Sequence, residues 1–215
     1  MHSKSNSDEE IVNIRRRQTR ARESRAKLIE AATGEFAARG FDGASTRQIA
    51  ELAGLKHALL IYHFGSKRAL WEAVMEKVVG RFLESFARRQ EEDVNCDDVR
   101  RLKGLFAEFI RLAATYPELH RLMSHEAWEG GERIEWIMRQ LLAHDNIPFV
   151  ALIESVQAQG RFVKGDPYHL YYTFLGAAAR IFMLGGEIEL VTGRSPFEAE
   201  YVEQHVQICE ELFFR

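Results

Sequence analysis

The chain has 215 residues, enough for one large domain or two small ones with a substantial core. Hydrophobic residues make up 46% and charged residues 28%, as in ordinary soluble globular proteins, and only Cys96 and Cys209 are present, which excludes a disulfide framework and a CxxC zinc site. The net charge of −3 conceals a division: twelve Lys/Arg stand against five Asp/Glu from Ile11 to Leu70, and sixteen against twenty-four from Trp71 to Arg215, so one end is suited to a polyanion.

The start, MHSKSNSDEE, has no apolar h-region and does not read as a signal peptide. No apolar run approaches the roughly 18 residues of a membrane span. A cytoplasmic protein with no membrane partner is expected. Residues 1 to about 14 lack periodicity and are expected to be irregular. The run IRRRQTRARESR then leads into a helix whose face holds Leu28, Ile29, Ala32 and Phe36, with Gly40 as its stop. Ser45 and Gln48 form a capping box for a short second helix, which ends at Gly54. A third short helix follows, from about Lys56 to Phe64, and Ser66 is placed to cap the next.

That next helix is long, with Trp71, Val74, Met75, Val78, Phe82 and Phe86 in one stripe. EEDVNCDD reads as a polar loop. An amphipathic helix carries Leu102, Leu105, Phe106, Phe109, Ala113 and Tyr116, and Pro117 opens a further one. Residues from about Glu132 to Gln159 read as helical, bent near Asp145 to Pro148. Asp166-Pro167 starts a helix that is apolar nearly all round and must be covered on several sides. Ser195 and Glu198 suggest a capping box for the final helix. The fold class is all-α, with about nine helices.

The second and third helices, joined by a tight turn at Gly54, have the helix-turn-helix layout, in which the second helix enters the DNA major groove. Arg15, Arg16 and Arg17 ahead of the first helix would then meet the DNA backbone or minor groove. STRQIAELAGLKHALLIYHFGSKRAL (Ser45 to Leu70) and the upstream LIEAATGEFAARGFDGAS resemble the N-terminal domain of the tetracycline-repressor (TetR) family of transcription regulators. The resemblance rests on Ile49-Ala50, Ala53-Gly54, Leu60, His63-Phe64, Ser66-Lys67 and Leu70, and spans residues 24 to 72.

It implies a flexible basic arm over 1–22, a helix-turn-helix DNA-binding domain over 23–68, and a helical ligand-binding and dimerisation domain over 69–215. Ser45 would cap the second helix, Thr46 would bind a phosphate, and Arg47 would reach a base edge or phosphate. Lys56, His57, Ala58 and Leu59 would form the base-facing start of the recognition helix, with Tyr62, His63 and Lys67 engaging or orienting the DNA backbone. Hydroxyls, imidazoles and lysines are good phosphate partners, and short side chains permit close approach to base edges. The family commonly has Ser or Thr where Lys56 stands, Gly where Ala58 stands and Tyr where Ile61 stands, so base preference and one phosphate contact are not carried over. Packing is the competing role for His63, and helix capping for Thr46.

HEAWE (His125 to Glu129) lacks the second histidine of HExxH, and His57 and His63 share a helix too short to hold them as ligands. Neither a metal nor a cofactor is expected, and no catalytic set is recognisable. In the larger part, polar groups are interleaved with aromatics, as in small-ligand cavities. Phe106, His125, Glu126, Trp128, Trp136, Tyr172 and Arg180 are candidate lining residues from a wider set that includes His120, Arg133 and His169. Arg180, charged in an apolar helix, requires a partner. Gly176 and Ala177 permit close helix approach and, with Val202, Val206, Cys209 and Phe213 of the final helix, are candidates for a homodimer interface. The expected function is a repressor on a palindromic operator, released by an unknown small-molecule effector. An effector-independent or architectural DNA-binding protein is the alternative.

Overall fold

The computed structural model describes residues 3–142 and 149–215, with side chains from Arg15 to Leu141 and from Phe149 onward. Among them are eleven helices: α1 (Ser3–Gly43), α2 (Thr46–Leu52), α3 (His57–Phe64), α4 (Lys67–Glu92), α5 (Asp98–Thr115), α6 (Pro117–Glu129), α7 (Glu132–Leu142), α8 (Phe149–Ala158), α9 (Pro167–Met183), α10 (Gly185–Thr192) and α11 (Ala199–Phe213). The fold is all-α; the only pairing of extended chain among the described residues is an isolated bridge between Phe162 and Phe214. Two of the expected nine helices are each two. The stretch from Glu132 separates into α7 and α8, and the expected bend near Asp145 to Pro148 lies outside the described residues. The apolar helix that starts at Pro167 breaks at Leu184, whose φ of −96° and ψ of 20° leave the helical range. Gly185 follows because a Cβ there would come within 2.7 Å of the Phe197 ring.

The chain divides into two compact units, Met1–Lys77 and Val78–Arg215, and α4 contributes to both. In the first, the expected stripe Leu28, Ile29, Ala32 and Phe36 is buried, together with Ile49 and Ala50 of α2, Leu60 of α3 and Leu70, Trp71 and Val74 of α4. Phe41 stacks on Phe36 at 6.0 Å and meets Trp71 edge-on at 6.2 Å. Ser45 and Ser66 cap as expected: Ser45 Oγ accepts from the Gln48 amide at 3.4 Å and Ser66 Oγ from the Ala69 amide at 3.1 Å. Gly54 makes the turn, with φ of 67°, while the Leu55 amide closes on the Ala50 carbonyl at 2.9 Å. Gly40 stops the regular helix as expected: its φ of 68° and ψ of 178° are non-helical, and only a short helical turn to Gly43 lies beyond the kink. One expectation changes. The backbone is helical from Ser3, so the arm ahead of residue 23 is an extension of α1 instead of an irregular segment.

The second unit is built around α5, which buries Leu102, Leu105, Phe106, Phe109, Ile110 and Ala113. Phe106 is its centre. Its ring stacks on Phe174 of α9 at 3.5 Å, and Phe149, Phe162, Phe213 and Phe214 surround it with centroids 5.6 to 6.2 Å away. The bridge closes this cluster: the Val163 amide donates to the Phe213 carbonyl at 2.9 Å and the Arg215 amide to the Arg161 carbonyl at 3.0 Å. Within the polar loop, Asp93 is buried and takes a two-point bond from Arg89 at 2.7 and 3.0 Å. The expected box at Ser195 is only half made. Glu198 reaches back to the Ser195 amide at 3.3 Å, but Ser195 Oγ accepts from Phe197, and α11 starts later, at Ala199.

Because Phe106 is 1% exposed and holds rings from several helices, Phe106→Ala should cost about 3–5 kcal/mol. Urea denaturation followed by far-UV circular dichroism measures this, and a loss below about 1 kcal/mol would show that the cluster does not depend on this ring.

Candidate nucleic-acid interface and ligand cavity

Helix α3 has two faces. Leu60 is fully buried and His57, His63 and Phe64 are half-buried, whereas Lys56, Ala58, Leu59, Ile61 and Tyr62 face solvent, Tyr62 at 78% exposure. Lys56 is the N-cap residue of α3, without a side-chain cap bond, and the short Ala58 leaves the backbone there accessible. Ser45 and Arg47 at the start of α2 are exposed, as are Arg15, Arg16 and Arg17 along α1. None of these arginines, nor Lys56, forms an ion pair within the described residues. Hydrated cations in this state are suited to phosphates, which they neutralise while releasing counterions.

The two histidines of α3 are structural links. His57 Nε2 lies 3.0 Å from Thr46 Oγ1 and so ties the start of α3 to the start of α2. His63 Nε2 lies 2.8 Å from Ser24 Oγ, whose hydroxyl also points at the Ala21 carbonyl, 3.0 Å away. A hydroxyl has one proton, so with that proton on Ala21 the imidazole is the donor. The structure therefore gives His63 a place against α1 rather than at the surface. Lys67 is similarly engaged: its Nζ donates to the Asp42 carbonyl at 3.1 Å and sits 4.9 Å from the centre of the Phe41 ring. Of the expected contacts, Ser45, Arg47, Lys56, Ala58, Leu59 and Tyr62 are exposed, whereas Thr46, His57, His63 and Lys67 are half-buried and bonded within the head. Sequence reasoning missed Ser24, and no local signal marks it, because its partner lies 39 residues away.

The second unit contains a cavity of about 450 Å³ between α4, α5, α6, α7 and α9. Its walls are mostly apolar, with Phe82, Phe109, Met123, Leu175 and Met183 among them, and the polar lining comes from His120, Ser124, Tyr171, Tyr172 and Arg180. Tyr172 and Arg180 are the two expected pocket residues found there. The other five stand elsewhere. Phe106 belongs to the core cluster; Glu126 is buried in a 2.6 Å pair with Arg133; His125 and Trp128 are exposed, Trp128 at 89%; Trp136 is half-buried outside the lining. His120, from the wider set of candidates, also lines the cavity. Positions 120, 123, 124 and 127 follow an i, i+3, i+4, i+7 spacing, so the shared face was readable, but not what it faced.

His120 Nε2 is buried and has no hydrogen-bond partner. Burial lowers its pKa from 6.5 to about 4, so the ring is neutral at pH 7. Burial likewise pushes the Tyr171 hydroxyl up to about 12, which keeps it protonated.

The expected interface residues also fall differently. Val202, Val206, Cys209 and Phe213 are all buried within their own chain, on the side of α11 that closes the core. A stripe at i, i+4, i+7 and i+11 shows that a helix face is covered, not by which molecule. Ala177 accepts at its carbonyl from His205 Nε2 at 3.1 Å, and Gly176 lines the cavity. The apolar groups that α11 leaves exposed are Ile208 and Leu212, and α10 leaves Leu190 and Val191.

A three-helix head with an open cationic side, and a helical body enclosing an apolar cavity, define a helix-turn-helix transcription regulator. The model for bacterial regulatory proteins of the tetR family matches residues 28–74, from within α1 to the first turns of α4. The transcriptional regulator RutR of Escherichia coli K12 is 26% identical over 193 residues, covering 86% of each chain. TtgR of Pseudomonas putida is 28% identical over 116 residues, 53% of this chain and 55% of its own. The same fold occurs in AibR, solved with isovaleryl coenzyme A and operator DNA, at a TM-score of 0.70 and 22% identity over 88% of this chain and 98% of that one. It also occurs in the ketosteroid regulator KstR2 of Mycobacterium tuberculosis, at 0.65 and 20% over 89% and 95%. These relatives are transcription regulators rather than enzymes. No helix among the described residues is long and apolar enough to cross a membrane.

The lowered pKa of His120 has a consequence for stability. Between pH 6.5 and about 4 the unfolded chain binds more protons than the folded one, so stability falls as the pH drops through that window. At most about 3 kcal/mol is at stake from this group. Urea titrations at pH 7 and pH 4.5 should show a smaller acid loss for His120→Phe than for the parent, and equal losses would exclude His120 as a source.

Proposed function

We propose that the protein is a homodimeric repressor that holds a palindromic operator through α1 to α3 and is released when a small molecule occupies the cavity of the second unit. The observation that carries this reading is the open side of the head, where Arg47, Lys56, Ala58, Leu59 and Tyr62 lie exposed while His57 and His63 are bonded beneath it. In this arrangement Arg47 and Lys56 meet phosphates or base edges, Ala58 permits close approach, and the Tyr62 hydroxyl donates to a phosphate. Arg15, Arg16 and Arg17 contact the backbone or minor groove from the extension of α1. That AibR was solved with both isovaleryl coenzyme A and operator DNA supports the view that this fold holds an effector and an operator in one molecule.

The two copies join through the apolar side of α11, a reading supported by the exposure of Ile208 and Leu212. A two-fold dimer presents two equal heads and therefore reads a palindrome. The double substitution of Ile208 and Leu212 to Asp should convert the dimer to a monomer in analytical ultracentrifugation with the helical content unchanged. A persistent dimer would move the interface to another face.

Selection of bound sequences from random duplex DNA, followed by competition, tests the regulator reading. The selected palindrome should be preferred by about 10³-fold or more over random DNA. Affinity should fall roughly 10³–10⁵-fold between 50 and 200 mM salt if six to ten phosphates are neutralised. Arg47→Ala should weaken binding by about 1–3 kcal/mol. Equal binding to random DNA would favour an architectural protein without an effector.

A further inference from the structure

Which bases the head reads follows from the side chains that α3 exposes, an inference that rests on the DNA-binding reading above. In a helix-turn-helix the N-terminal residues of the second helix meet base edges in the major groove. Here those residues are the cap, Lys56, and then His57, Ala58 and Leu59 in the first turn. His57 is half-buried, with Nε2 3.0 Å from Thr46 Oγ1, which leaves Lys56, Ala58 and Leu59 exposed. Two of these three side chains carry no hydrogen-bonding group. Leu60 is sealed in the core of the head, whereas Leu59 beside it is 37% exposed. Every base pair shows donors or acceptors in the major groove, but unmodified DNA has one apolar group there, the C5-methyl of thymine.

We propose that Leu59 is a specificity-determining residue that reads thymine by packing on its C5-methyl group, and that Ala58 is the small neighbour that lets α3 come close enough for the contact. Discrimination has two sources. A methyl group against leucine takes apolar surface of both partners out of water. A cytosine or adenine at the same point would turn an amino group toward the leucine, and that donor would lose water without gaining an acceptor. Leu59 therefore acts against the wrong base as well as for the right one. The attraction of arginine and lysine for phosphates is the same on any sequence; the contact of Leu59 is not.

The test removes the methyl group and nothing else. In the selected operator each thymine of a half-site, with its symmetry mate, is replaced in turn by deoxyuridine, and binding to the full-length protein is followed by fluorescence anisotropy at fixed salt. At one position the replacement is expected to weaken binding about fifteenfold, the square of the roughly fourfold effect of one buried methyl group. Leu59→Ala should bind the parent operator more weakly and respond to the same replacement by less than about twofold, while Leu59→Met, which keeps an apolar contact, should recover most of the response. The deoxyuridine series needs no variant, and far-UV circular dichroism checks that both variants keep the fold. The proposal is overturned if no deoxyuridine weakens binding, or if the loss in Leu59→Ala equals that in the parent, since another side chain then meets the methyl group. Either result with an operator still preferred over random DNA removes the thymine contact and leaves the regulator reading standing. Failure to select any operator removes both.

Discussion

The body of this protein is organised by the stacking of Phe106 on Phe174. That contact sets α5 against α9 at 3.5 Å between ring centres, and the rings of Phe149, Phe162, Phe213 and Phe214 close around it. With α5 and α9 fixed in this way, Phe109 on one and Leu175 on the other become two walls of a space that α6 completes with Met123 and His120. The core and the cavity are thus neighbours on the same helices. The i, i+3, i+4 rows of α5 and α9 that look inward at the cluster are dry and dense, and the adjacent rows line the space.

The head works on a different principle. Its α2 and α3 are short, and helices of that length are marginal alone. They are held by a small apolar core and by two hydroxyl–imidazole bonds, Thr46 to His57 and Ser24 to His63. Each histidine spends its ring on another helix, which frees the residues beside it in sequence, Lys56, Ala58 and Tyr62, to face outward. The charge division along the chain follows the same plan. Basic residues gather where a polyanion is met, and acidic ones on a body whose own surface pairs, such as Arg111 with Glu203 at 2.7 Å, are largely internal to it.

Features governed by nearest neighbours were legible in the sequence. The caps at Ser45, Ser66 and Asp166, the turn at Gly54, and the buried stripe of Leu28, Ile29, Ala32 and Phe36 each depend on residues within a turn or three of one another. The helix-turn-helix and its outward residues were readable for the same reason, since Leu60 buried and Tyr62 exposed follow from helical period alone. Misreadings arose where the partner is distant. Periodicity assigned α9 one long helix because its apolar residues run on past Leu184; the break is made by the close approach of Phe197 to Gly185.

The sequence by itself determined the class of fold, the positions of most helix starts and stops, and which side of α3 stays exposed, because backbone capping and helical periodicity are local. Only the tertiary structure decided what each apolar stripe covers. Val202, Val206, Cys209 and Phe213 looked equally suited to a partner chain, but they are buried in their own core, and the apolar groups α11 leaves exposed are Ile208 and Leu212. Likewise, Phe106 and His120 are both plausible cavity residues on inspection, yet one is sealed among five other rings and the other borders the cavity. Hydrophobic burial is non-directional, so a stripe specifies that a face is covered; the packing of helices far apart in the chain specifies by what.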